Sequence, residues 1–96
     1  RPLAIGTGDE GWLDAINYAR AAIRDFKPDA LVVPLGFDAS KDEPLNALSV
    51  TEEGFARAGA LIGGLGLPAA IVQEGGYNTE VIGTLLARFL AAWENA

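Results

Sequence analysis

Two short apolar runs, ALVVPL (Ala30 to Leu35) and AAIVQ (Ala69 to Gln73), limit what this chain can fold into. Each is too short for a buried helix, and the first is β-branched at its centre. Neither alternates with polar residues, so both read as strands buried on two faces, as in a parallel sheet. A helical pattern lies between them, which makes the connection a right-handed crossover. Pro34 cannot donate to a strand ladder and is expected near the strand's end.

Three helical stripes complete the pattern. TGDE (Thr7 to Glu10) reads as a capping box with Thr7 as N-cap. Behind it, Trp12, Leu13, Ile16, Ala19, Ala22, Ile23 and Phe26 recur at helical spacing, and Lys27-Pro28-Asp29 ends the helix. Thr51 caps a second helix, with Glu52 and Glu53 in the first turn and a stripe of Phe55, Ala58, Leu61, Ile62 and Leu65. GLGLP ends that helix. Asn78 is expected to cap a third, whose buried face is Val81, Ile82, Leu85, Leu86, Phe89 and Trp93. The order is α-β-α-β-α, an α/β class. Two parallel strands leave open edges, and 96 residues make a small core. The chain therefore reads as part of a larger layered structure, incomplete on its own, or as one copy in an oligomer.

Composition narrows the function. Half of the chain is hydrophobic, so it folds. A net charge of −6 argues against a nucleic-acid partner. No apolar run approaches the ~18 residues of a membrane span, and no signal-peptide pattern opens the chain. Cysteine is absent, which excludes disulfides and thiolate metal sites and fits a cytoplasmic location. The chain begins Arg1-Pro2 without a methionine, as a processed product or internal fragment would. GTGDEG matches G-x-G-x-x-G, but only PLAI precedes it and Asp9 would oppose a pyrophosphate, so a dinucleotide loop is set aside.

In open parallel sheets, ligands bind beyond the carboxyl ends of the strands. Asp38 lies just past the first strand and Glu74 to Tyr77 just past the second. Neighbouring strands are ~4.8 Å apart, so both loops would open on one pocket. Gly75 and Gly76 tolerate positive φ and would let Tyr77 turn its hydroxyl inward. Alone, Asp38 reads as a loop cap and EGGYN as a tight turn. Together they read as a site.

LVVPLGFDASKDEPL followed by IVQEGGYN resembles the C-terminal part of the zinc-dependent deacetylases. That group includes histone deacetylases and bacterial acetylpolyamine amidohydrolases, on the arginase–deacetylase fold. PLAIGTGDEGWLDAI is similar to the segment preceding the metal-binding strand. The resemblance implies a three-layer parallel-sheet fold, with residues 1–96 as a single, partial domain at its C-terminal end. It implies that Asp38 is a zinc ligand and that Tyr77 polarises the scissile acetyl carbonyl. It also implies that Gly75, Gly76, Pro44 and Leu45 line the substrate channel. The substrate would be an acetylpolyamine or an acetyl-lysine side chain. Three positions depart from the common pattern: Ser40 where histidine is frequent, Glu43 where aspartate is common, and Asn46 where glycine is frequent.

The family's zinc takes two aspartates and a histidine, and a histidine pair moves protons. This chain has no histidine. Asp38 would thus bind zinc only with partners from upstream, and the isolated chain is expected to be inactive and to hold zinc weakly. The alternative is a non-catalytic fragment that folds by oligomerising and acts as a scaffold.

Overall fold

A computed structural model of the chain describes residues 2–45 and 47–96. Asn46, one of the three departures, lies outside them. The elements are α1 (Asp9–Phe26), β1 (Leu31–Leu35), α2 (Glu52–Gly63), β2 (Ala69–Gln73) and α3 (Ile82–Glu94). β1 and β2 pair in parallel with Leu31 opposite Ala69 and Leu35 opposite Gln73. Pro34 is the penultimate residue of β1, where its missing N–H does least harm. Lys27 ends α1 in the left-handed region at φ 55° and donates its N–H to Ile23 O.

The core forms where α2 meets α3 and the inner face of the strands. Phe55 and Phe89 are fully buried, with Leu13, Leu35, Phe37, Val50, Ala58 and Leu85 around them. The Phe55 ring lies 5.1 Å from Trp12 at 62° and 5.2 Å from Phe37 at 58°, tilted geometries that aromatic quadrupoles favour. Gly59 and Gly63 let α2 and α3 touch backbone to backbone. A Cβ at Gly59 would lie 3.0 Å from the Phe89 carbonyl carbon, and one at Gly63 would lie 3.0 Å from Trp93 Cα. Outside, Arg88 of α3 bridges Glu52 at 2.9 Å and Glu53 at 2.7 Å.

Two helix-cap expectations need correction. Thr7 does not cap α1: the N-cap is Gly8, and Thr7 Oγ1 donates to Ala4 O at 2.6 Å. The acid of that stretch has a distant partner instead. The Asp9 carboxylate accepts the Thr51 N–H at 2.7 Å and the Thr51 hydroxyl, tying the start of α1 to the start of α2. Thr51 keeps its own expected role, accepting from Gly54 N at 3.1 Å. Asn78 does not cap α3, which starts after Val81. Its Oδ1 accepts from Glu80 N at 3.2 Å and so caps the turn before the helix.

Nor are the strands buried on both faces. Leu31, Val33 and Leu35 turn inward, but Val32 is 74% exposed and Val72 50% exposed, on the face where Pro34 and Ala70 also lie open. Among the described residues, no helix packs closely there. The apolar stripe of α1 behaves similarly: Leu13 is buried, whereas Ala19, Ala22 and Phe26 are exposed. Among the described residues, no helix is long and apolar enough to cross a membrane.

Candidate functional site

Both strands end at the same rim, and their following turns interlock. Glu74 N donates to Leu35 O at 2.8 Å, extending the ladder one step, and Phe37 N reaches Gly75 O at 3.4 Å. Gln73 Nε2 donates to the same Gly75 carbonyl at 2.8 Å. The glycines are sterically required. Gly75 and Gly76 sit at φ 85° and 112°, where L-residues are strained. A Cβ on Gly36 would lie 2.5 Å from Glu74 O. A Cβ on Gly75 would run into the Asp38 carboxylate, and one on Gly76 would lie 3.0 Å from the buried Phe37 Cβ. The Asp38 side chain therefore lies across the bare backbone of Gly75.

Asp38, Glu43, Pro44, Leu45 and Tyr77 line one cavity of about 220 Å³ at this rim. Four of the residues singled out from sequence thus come together. Gly75 and Gly76 are not among the residues lining this cavity; both, at positive φ, shape the turn that carries Tyr77. Tyr77 is 66% exposed and Leu45 90% exposed, so both form the open lip.

The described residues between Phe37 and Val50 are well tied. Ser40, fully buried, accepts from Asp42 N at 3.1 Å through its Oγ, and Ser40 N donates to Phe37 O at 3.0 Å. Val50 N donates to Ala39 O and Lys41 N to Val50 O, each at 2.9 Å, closing the loop on itself. The fifth lining residue is Glu43, one of the three departures. It is 5% exposed, and its carboxylate accepts Tyr77 N–H at 2.8 Å and Asn78 N–H at 3.0 Å. Asn78 Nδ2 returns a bond to Asp42 O at 2.8 Å. Nothing local in SKDEPL signals this, because the partners lie 34 and 35 residues away. An acid beside proline in a loop otherwise reads as solvated.

The arrangement offers a carboxylate, a phenol and apolar flanks around one small cavity. Whether it could hold zinc follows from the donors. Among the described residues, no three His, Cys, Asp or Glu side chains gather into a metal-holding group. The Glu43 carboxylate is already taken by two N–H donors. Asp38 is one donor where zinc generally needs three from protein. The residues of this chain alone do not fit the ion.

A family profile described as "Histone deacetylase domain" matches residues 1–93. The acetylpolyamine amidohydrolase of Burkholderia pseudomallei is 46% identical over 79 residues, covering 82% of this chain and 23% of that protein. Acetylpolyamine amidohydrolase 1 of Pseudomonas aeruginosa is 38% identical over 95 residues, covering 99% of this chain and 28% of its own length. The crystal structure of acetylpolyamine aminohydrolase from Burkholderia pseudomallei superposes with a TM-score of 0.92 at 40% identity, over 96% of this chain and 27% of that one. The chain spans about a quarter of the length of these relatives.

Proposed function

Because the chain belongs to the histone deacetylase domain family, we propose that it is the C-terminal part of a zinc-dependent amidohydrolase that removes acetyl groups from acetylated amines. The overall reaction adds water across the acetyl–nitrogen bond: the C–N bond breaks, the water oxygen joins the acetyl carbon to give acetate, and both water protons end on the amine nitrogen, which leaves as an ammonium. One observation carries the reading. Asp38 and Tyr77 line the same cavity at the carboxyl rim of a parallel pair.

In that reading Asp38 supplies one metal donor, and the remaining donors come from residues outside this chain. When bound, zinc supplies carbonyl polarisation and a water of lowered pKa. Tyr77 donates its phenolic O–H to the acetyl oxygen as negative charge builds there. One such donor is typically worth ~3 kcal/mol in the transition state. Pro44 and Leu45 give the methylenes of an extended substrate an apolar surface. The proton-transferring groups also lie outside the chain, which has no histidine. The names of the similar bacterial proteins support an acetylpolyamine over an acetyl-lysine side chain, and a net charge of −6 suits a cationic amine.

The test is acetate release by the protein carrying this chain at its C-terminal end, with acetylated polyamines and acetyl-lysine peptides. Turnover should be lost with a chelator. Tyr77→Phe should lower kcat by about 100- to 1,000-fold with little change in KM. An unchanged kcat removes Tyr77 from the chemistry.

A second reading rests on the bare strand face at Val32 and Val72. A second copy of the chain covering it would make a non-catalytic, self-associating piece. Sedimentation of the 96-residue chain checks this, since a monomer at all concentrations discards the scaffold.

A further inference from the structure

We propose that Glu43 is a positioning residue whose carboxylate holds the backbone of Tyr77 and Asn78 and so sets where the Tyr77 hydroxyl meets the Asp38 cavity. This deepens the deacetylase reading and rests on it.

The inference starts from how Tyr77 is held. Tyr77 is 66% exposed, so within this chain packing does little to define the position of its ring. Its backbone is the firm part. Gly75 and Gly76, both at positive φ, turn the chain so that two successive N–H groups face one point. Such consecutive N–H groups make an anion-binding concavity. Glu43 fills it, with one oxygen on Tyr77 N at 2.8 Å and the other on Asn78 N at 3.0 Å.

Burying a carboxylate is costly unless hydrogen bonds compensate it. Glu43, at 5% exposed, receives two charge-assisted bonds from the turn that carries the phenol. Asn78 Nδ2 closes the reverse link to Asp42 O at 2.8 Å, so the two loops are clasped from both sides. Side-chain length matters as well. One methylene fewer withdraws the carboxylate by ~1.5 Å, beyond the ~3.2 Å limit of a good N–H···O bond for at least one donor. A carboxamide fails differently, since its NH₂ would face an N–H donor.

The experiment compares Glu43→Gln and Glu43→Asp in the protein carrying this chain at its C-terminal end, each with and without Tyr77→Phe. Displacing a reacting group by about an ångström costs up to ~100-fold, so Glu43→Gln should lower kcat about 10- to 100-fold. KM and zinc content should stay close to the parent values. With Tyr77→Phe present, adding Glu43→Gln should change kcat little, because the carboxylate then has no hydroxyl to place. Amide exchange at Tyr77 and Asn78 should accelerate in both Glu43 variants, a readout independent of turnover.

A full, additive loss in the double variant overturns the positioning role. So does unchanged kcat in Glu43→Gln beside a normal Tyr77→Phe effect. Unchanged amide exchange also overturns it, whatever the activity. If Tyr77→Phe itself leaves kcat intact, the deacetylase reading fails first and takes this role with it. Should Glu43→Gln not fold, Glu43→Asp carries the same kinetic and exchange comparisons.

Discussion

Replacing Gly75 with alanine separates backbone strain from the placement of the Asp38 carboxylate. Gly75 holds φ +85°, and a Cβ there runs into that carboxylate, with the Asp38 Cγ 3.1 Å away. Gly66 is the matched control: it holds φ +70°, and a Cβ there meets nothing within 4 Å. An L-residue in the left-handed region costs about 1–2 kcal/mol, so both variants share that loss. The difference lies with Asp38. Its side chain is exposed and short, so it can swing away for about 0.5–1.5 kcal/mol, the cost of an off-rotamer angle. Urea unfolding should therefore place the two variants within about 1.5 kcal/mol of each other. Function should separate them sharply. On the proposed ligand role, a carboxylate pushed off the cavity wall is lost as a donor, and in the protein carrying this chain Gly75→Ala should lose zinc and about 100-fold in turnover while Gly66→Ala keeps both. Equal activity in the two variants would show that the carboxylate's position is irrelevant. A Gly75→Ala penalty more than ~3 kcal/mol beyond the control would show that Asp38 is a structural strut.

Asp38→Ala in the same protein should shed metal before it loses fold, because the side chain is exposed and closes no part of the core; full zinc occupancy by elemental analysis would count against the ligand role. Thr51→Ala removes the cap of α2 and the hydroxyl bond to the Asp9 carboxylate, which keeps its bond from the backbone N–H at position 51. It should cost about 1–3 kcal/mol by chemical denaturation, against about 1 for loss of a cap alone. A loss of ~1 kcal/mol or less would mean that the hydroxyl's bond to Asp9 adds nothing to the cap.

How far the sequence could be read divides along the range of the interactions. Thr51 was legible because its cap partner, Gly54, is three residues away. β2 was legible because its short run coincides with its limits, between Pro68 and Glu74. The meeting of Asp38 with Tyr77 was legible because a parallel crossover puts both loops on one rim. What was not legible depends on partners far along the chain. Asp9 sits where a capping box fits, yet its carboxylate goes to Thr51, 42 residues away. Glu43 reads as a solvated acid until Tyr77 and Asn78 turn towards it. The two-sided burial of the strands failed for another reason. Their pattern is written for neighbours on both faces, and this chain supplies neighbours for one.

That doubly apolar pattern has a further effect on folding. A one-residue slip of β1 against β2 would exchange Leu31, Val33 and Leu35 for Val32 and Pro34 with modest change in greasiness, so side-chain polarity is a poor lock on alignment. The lock lies in the turns: the Glu74 N–H on Leu35 O, the Phe37 N–H near Gly75 O, and the tight fit of Gly36 under Glu74. The stitches that align the strands are the same ones that bring the acid and the phenol together. A chain that pairs out of step therefore cannot bring Asp38 and Tyr77 to one cavity.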